Sequence, residues 1–228
     1  MVLDHIKVTD STLTSLTQHT QQLQNGALPV GSVEFVREAM RIASIPEPEN
    51  LSYPNSAKAY LYRNIRQRKA GEVIGCVFVK PVTTKLFTGF VFDTMQDRHQ
   101  YSEHDQAQFD AFMALDANEK VFISDPVQWL SEWRYYVVDD QIIGHARYDQ
   151  NETENAPEPD INTVKSCIKD INLKHPYALD FGVISSGESA LVEVNDAFAI
   201  GLYGRALQPK NYLAFLQARW TSLLDTKP

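Results

Sequence analysis

Two cysteines in 228 residues are too few for a disulfide framework, and Cys76 and Cys167 are too far apart in sequence for a CxxC pair. Both read as small buried apolar residues, and the setting expected is a reducing cytoplasm. Clustered positive charge is also missing. With 21 Lys and Arg against 29 Asp and Glu the net charge is −8, which argues against broad binding to long nucleic acids but leaves room for a local phosphate site. No run of about 18 apolar residues occurs, so no membrane span is expected. The opening MVLDHIKVTDSTLTSLTQHT lacks the basic segment and apolar core of a secretory signal. Neither a GxxxxGKS or GxxxxGKT loop nor an HRD triplet is found, and the single DFG, at 180–182, stands without its HRD partner, which sets aside P-loop and protein-kinase chemistry.

What is present is an ordinary globular composition with well-punctuated elements. Ser32 caps an expected helix over 33–44, closed by Pro46 and Pro48. The stretch 56–70 (SAKAYLYRNIRQRKA) reads as a helix stopped by Gly71, with Lys58, Arg63, Arg66 and Arg68 forming a basic strip that is more simply a solvated face than a substrate site. A Val-rich strand, EVIGCVFVKPV, ends at Lys80-Pro81, and KLFTGFVFD after it suggests a hairpin or flexible loop at Gly89. Helices are expected over 102–117, 161–174 and 209–225. In the last, Tyr212, Phe215, Leu216 and Trp220 form a core stripe. The acidic, Pro-containing run 151–160 reads as a surface loop.

Two hairpins hold most of the chemistry. In EWRYYVVDDQIIGHARY the turn is Asp139-Asp140, which by simple counting sets Glu132 against Arg147 and Arg134 against His145 on one face. Trp133, Tyr135, Val137, Ile142, Ala146 and Tyr148 fall on the other. In the second hairpin, residues 177–195, a turn centred between Ser186 and Gly187 sets Asp180 directly opposite Glu193, with Asn195 on the same face and small neighbours, Ala178 and Gly182, leaving space. Opposed residues have Cβ atoms roughly 4.5–5.5 Å apart, where two like charges are destabilising. A hard divalent cation between them would relieve this, since Mg²⁺ is commonly held by one or two carboxylates plus substrate phosphates. A solvated outer face is the bland alternative.

A lysine at a strand end, arginines on one hairpin and an Asp-Glu-Asn triplet on another, in this order, resemble the ATP-grasp superfamily, and SEWRYYV with the Arg147-Tyr148 strand resembles its clade named for two arginines and a lysine. FVKP at 78–81 looks like the family's nucleotide-binding lysine motif, and Asp180 with VEVND at 192–196 like its C-terminal signature. The resemblance implies an α+β fold of two lobes with antiparallel sheets holding the nucleotide between them. Its segments would be a small appended region (1–50), a first lobe (51–120), and a hinge with the second lobe (121–228). It also implies ATP and Mg²⁺ as cofactors, with Lys80 on the α- or β-phosphate. Adenine would be read by the backbone of the 124–130 hinge, at Asp125 and Val127, and Glu132 would also bind the nucleotide; Asp180, Glu193 and Asn195 would hold metal, and Arg134 and Arg147 would stabilise transferring charge. The activity implied is ligation of a carboxylate to an amine or similar nucleophile through an acyl phosphate, on a small molecule or peptide. The alternatives are a kinase-type phosphotransferase or a MgATP-binding module without turnover.

Overall fold

The computed structural model describes residues 9–83, 86–149 and 155–226. Thr20–Gln24 (α1) and Val33–Ala43 (α2) come first, and α2 starts where the Ser32 hydroxyl accepts from the Phe35 amide (3.3 Å). The region expected as a single helix over 56–70 is instead a short 3-10 turn, Asn55–Tyr60, followed by a strand, Arg66–Lys69 (β1). Helix-forming residues lose here to tertiary pairing, because β1 forms the edge of a sheet against Lys120–Ser124 (β4). Its four side chains, Arg-Gln-Arg-Lys, are all exposed, which suits an edge that must not recruit another strand.

Cys76–Pro81 (β2) and Phe90–Asp93 (β3) complete that sheet in the order β1-β4-β2-β3, with all pairs antiparallel. Side-chain alternation along β2 turns Val79 into a core with Phe87, Phe90, Phe92, Tyr101, Phe112 and Val121 and turns Phe78 and Lys80 the other way. Helix Glu103–Met113 (α3), capped by Ser102, covers the core side through Phe109 and Phe112. Cys76, expected to be buried, is exposed at the start of β2, whereas Cys167 is buried.

Residues 125–128 cross to the second sheet, Gln141–Arg147 (β6), Trp129–Val138 (β5), Tyr177–Ile184 (β7) and Ser189–Asp196 (β8), in the order β6-β5-β7-β8 and again antiparallel throughout. One face packs on helix Ile161–Ile171 (α4), placing Tyr135, Tyr177, Leu179, Phe181, Leu191 and Val194 against Val164, Cys167 and Ile168. At one end of the other face, Tyr136 and Ala178 meet Phe215 and Leu216 of helix Pro209–Leu224 (α5). The far side of α5 packs Trp220 and Leu223 on Val36, Ala39 and Met40 of α2. A buried Arg219–Asp196 ion pair (2.5 Å) ties α5 to the end of β8. No helix among the described residues is long and apolar enough to cross a membrane. Positions 151–154 of the expected acidic loop and position 85 of the stretch before β3 lie outside the described residues.

Candidate functional site

The β5–β6 turn forms at Asp139-Asp140, both at positive φ (48° and 60°), as a two-residue hairpin turn requires. Beyond Val137↔Ile142, however, the register shifts by one, so Tyr136 pairs with Gly144, Arg134 with Ala146 and Trp133 with Arg147. The extra residue, Ile143, forms a bulge that reverses the faces of everything after it on β6. The expected pairs Glu132/Arg147 and Arg134/His145 are therefore not formed. His145 stacks on Tyr135 (5.2 Å between centroids) and meets Glu158 (2.9 Å). Arg147 sits on the same face, paired with Asp149 (2.7 Å). Ala146 and Tyr148, expected among the apolar side chains, join Glu132 and Arg134.

β8 carries a second bulge. Near the turn Phe181 pairs with Leu191 and Gly182 with Ala190, whereas past it Asp180 pairs with Glu193 and Ala178 with Asn195. The expected Asp180/Glu193 opposition is thus realised, but by a different route. The loop centres on Ser186, with Gly187 at φ 98°, and Val192 is the extra residue that brings Glu193 back onto the Asp180 face.

Arg134, Asp180 and Glu193 consequently lie in one row across β5, β7 and β8, and Lys80 reaches the end of that row from the first sheet. Arg134 donates Nε to Asp180 Oδ1 (2.7 Å) and Nη2 to Oδ2 (2.6 Å), and the Asn195 amide donates to Oδ2 (3.0 Å). Lys80 Nζ donates to Glu193 Oε2. The charges along the row run cation, acid, acid, cation. Burial opposes both members of the Lys80–Glu193 pair, yet each holds the other charged: the lysine pKa stands above and the Glu193 carboxyl below its usual value. For Asp180, 1% exposed, burial pushes the carboxyl up against the pull of Arg134, and the facing Glu193 adds to the rise.

Arg134 is enclosed by the rings of Tyr203 (4.8 Å) and Tyr148 (5.6 Å). Tyr148 stacks on Tyr203 and donates its hydroxyl to Glu132 (2.7 Å). Burial raises the Glu132 carboxyl, against that hydrogen bond. The space expected beside Asp180 is filled by neighbouring side chains. Ala178 is covered by the α5 cluster, and a Cβ at Gly182 would stand 2.5 Å from both the Ser131 carbonyl and the Trp129 ring.

Two cavities flank the Lys80–Glu193 pair, and both residues line both of them. The larger, about 560 Å³, lies between the sheets and is bounded by Phe78, Phe90, Val127, Trp129, Glu132 and Tyr148. The smaller, about 360 Å³, lies toward α2, with Arg37, Glu47, Asn50 and Asn195 in its wall. Lys80, Val127, Glu132, Glu193 and Asn195 are therefore brought to these cavities. Arg134 and Asp180 lie behind Glu193, and Asp125 and Arg147 line neither cavity. Counting along strands missed Tyr148, because of the β6 bulge, and Arg63, which lines the larger cavity although it was placed on a solvated helix. Phe78 could have been found, since alternation puts it beside Lys80.

The donor types here, two carboxylates and an amide, are ones Mg²⁺ takes, although Arg134 and Asn195 occupy both Asp180 oxygens. Among the described residues no three His, Cys, Asp or Glu side chains form a metal-sized cluster; two carboxylates and an amide are the set a Mg²⁺ ion completes with phosphates and water. The cavity of about 560 Å³ lies in the size range of cofactor sites.

Compared with known proteins, residues 60–215 match the family model of an ATP-grasp domain, family 2 of the clade named for two arginines and a lysine. No curated protein matches the chain by sequence. Among solved structures, the chain is similar to the ATP-grasp ligase PsnB complexed with minimal precursor (15% identity, 93% of this chain and 61% of that one, TM-score 0.41). It is also similar to D-alanine–D-alanine ligase from Bacillus anthracis (12%, 96% and 94%, TM-score 0.44) and to L-amino acid ligase from Bacillus licheniformis (11%, 80% and 52%, TM-score 0.40). The chain spans about three fifths of the PsnB chain. The family match covers more than half of the sequence, and the chain belongs to the ATP-grasp family, in family 2 of its two-arginine, one-lysine clade.

Proposed function

We propose that the protein is an ATP- and Mg²⁺-dependent ligase that joins a carboxylate to an amine or similar nucleophile through an acyl phosphate. ATP and Mg²⁺ come with membership of the family. The observation that carries the reading is the shared wall: Lys80 and Glu193 border both the inter-sheet cleft and the smaller cavity beyond it. A nucleotide in the cleft, its adenine against Phe78, Val127 and Trp129, would direct its terminal phosphate toward that wall. The carboxylate receiving the phosphoryl group would approach from the other side. Lys80 would exchange its bond to Glu193 for phosphate oxygens, which frees Glu193, with Asp180 and Asn195 behind and beside it, to hold Mg²⁺. The metal supplies charge neutralisation on the phosphates. Positioning and electrostatics then account for the chemistry without a nucleophilic side chain. The acceptor class, small molecule or peptide, and a cytoplasmic setting belong to the same proposal.

One observation favours a second reading, a MgATP-binding module without turnover. Arg134 is taken up by Asp180, and Arg147 faces away from the row, so neither arginine expected to stabilise transferring charge lines a cavity. Calorimetric titration with a nonhydrolysable ATP analogue, with and without Mg²⁺, on wild type and Asp180→Asn, followed by a screen of carboxylate and amine pairs for ADP and phosphate release, separates the two. Mg²⁺-dependent binding lost in the variant and paired release of both products support the ligase; binding without product release favours the module. Absence of nucleotide binding overturns both.

A further inference from the structure

Leu191 and Val194 both face the α4 core, yet two residues separate them where an unbroken strand allows one. Both intervening side chains, Val192 and Glu193, line the inter-sheet cleft. Had the pairing Phe181↔Leu191 simply continued, Asp180 would face Val192 and Glu193 would point into the core. The bulge therefore decides where Glu193 stands.

Its backbone is held from outside the second sheet. Arg63, between the Asn55–Tyr60 turn and β1, donates Nη1 to the Leu191 carbonyl (2.8 Å) and Nη2 to the Val192 carbonyl (3.0 Å), with a further bond from Nη1 to Leu61 O (2.9 Å). Its guanidinium lies over the rings of Trp129 (5.3 Å) and Tyr53 (5.9 Å). Successive carbonyls of a regular strand point to opposite edges, so a single rigid fork cannot take both; at a bulge they turn to the same side. The contact is thus selective for the bulged register.

We infer that Arg63 is a positioning residue that pins the β8 bulge and, through it, sets Glu193 against Lys80 and the metal. The inference rests on the metal role of Glu193 proposed above, but its structural half can be tested without it. In Arg63→Met, which keeps an apolar stem between the two rings, the ligand-free protein is expected to stay folded by circular dichroism. Amide exchange at 191–194 should rise at least about tenfold while that of β5 and β7 is retained, and Lys80 should acylate faster as its partner moves away. Mn²⁺ affinity in the presence of the ATP analogue should fall about 10- to 100-fold, as for other residues that orient a metal ligand, with metal-free nucleotide binding changed far less. Added guanidinium should partly restore exchange protection in Arg63→Ala. Unchanged exchange and Lys80 reactivity in Arg63→Met would overturn the assignment, as would an equal loss of metal-free nucleotide binding, which would make Arg63 a direct nucleotide contact. If Glu193→Gln leaves Mn²⁺ affinity intact, the metal role falls and the exchange and acylation results alone decide the role of Arg63. Should Arg63→Met not fold, Arg63→Lys, which keeps the charge but not the fork, carries the same readouts.

Discussion

Lys80, on an interior strand of the first sheet, donates to Glu193, on the edge strand of the second, so one ion pair joins the two halves at the point where their cavities meet. Both side chains are about one-fifth exposed, and removing one leaves the other a poorly solvated charge. Lys80→Met is expected to destabilise by about 2–3 kcal/mol, and the double variant Lys80→Met/Glu193→Gln by less than that. Denaturant unfolding of the four members of the cycle measures it; additivity would mean that the pair is not formed in solution.

Arg134 and Arg147 should behave differently although they lie on neighbouring strands. Arg134→Ala abandons a fully buried Asp180 and should cost about 3–5 kcal/mol. Arg147→Ala loses a pair with Asp149 two residues away and should cost about 1 kcal/mol or less, with nucleotide affinity unchanged. Chemical denaturation and titration with the ATP analogue check both.

Glu132 gives a pH dependence. Burial raises its carboxyl, so the native state binds its proton more tightly than the unfolded chain does. The associated stability is present in full below the unfolded carboxyl value, about 4.3, and is lost as pH rises through the higher native value. Glu132→Gln retains an acceptor for the Tyr148 hydroxyl and removes the charge. Its melting temperature should exceed that of wild type at pH 8 and converge with it near pH 4; a constant difference would refute the shift.

Gly182→Ala should force the Trp129 ring or the Ser131 carbonyl to move, at about 1–3 kcal/mol. Trp129 borders the cleft, so the variant should change both tryptophan emission and affinity for the ATP analogue. An unaltered spectrum would place the ring elsewhere.

Metal removal offers a simple check on the proposed function. The ATP analogue at about 100 times its Kd with Mg²⁺ should stabilise the protein by about 2.7 kcal/mol, and most of that gain should vanish in EDTA. Thermal melts with and without chelator decide it.

Local signals in the chain determined much of this architecture. Ser32, Ser102 and Pro209 start their helices where capping rules place them, because a cap hydroxyl or a preset φ acts within one turn. Asp139-Asp140 likewise makes its hairpin turn, and the order of Lys80, Arg134, Asp180 and Glu193-x-Asn195 was legible as a family pattern. Register beyond the turns was not. One extra residue reverses every face after it, and neither Ile143 nor Val192 differs chemically from an ordinary strand residue. The bulges have partners far along the chain: the Arg63 fork meets the Leu191 and Val192 carbonyls, and the Ala206 carbonyl comes so close to Gly144 that no Cβ fits between them. Long-range contact also made a strand of Arg66–Lys69, since pairing with β4 outweighs the helix preference of those residues. Residue identity and order therefore set which groups the site can contain, and tertiary pairing decided which of them face the cleft, because the direction of a strand side chain depends on a count that distant contacts can change by one.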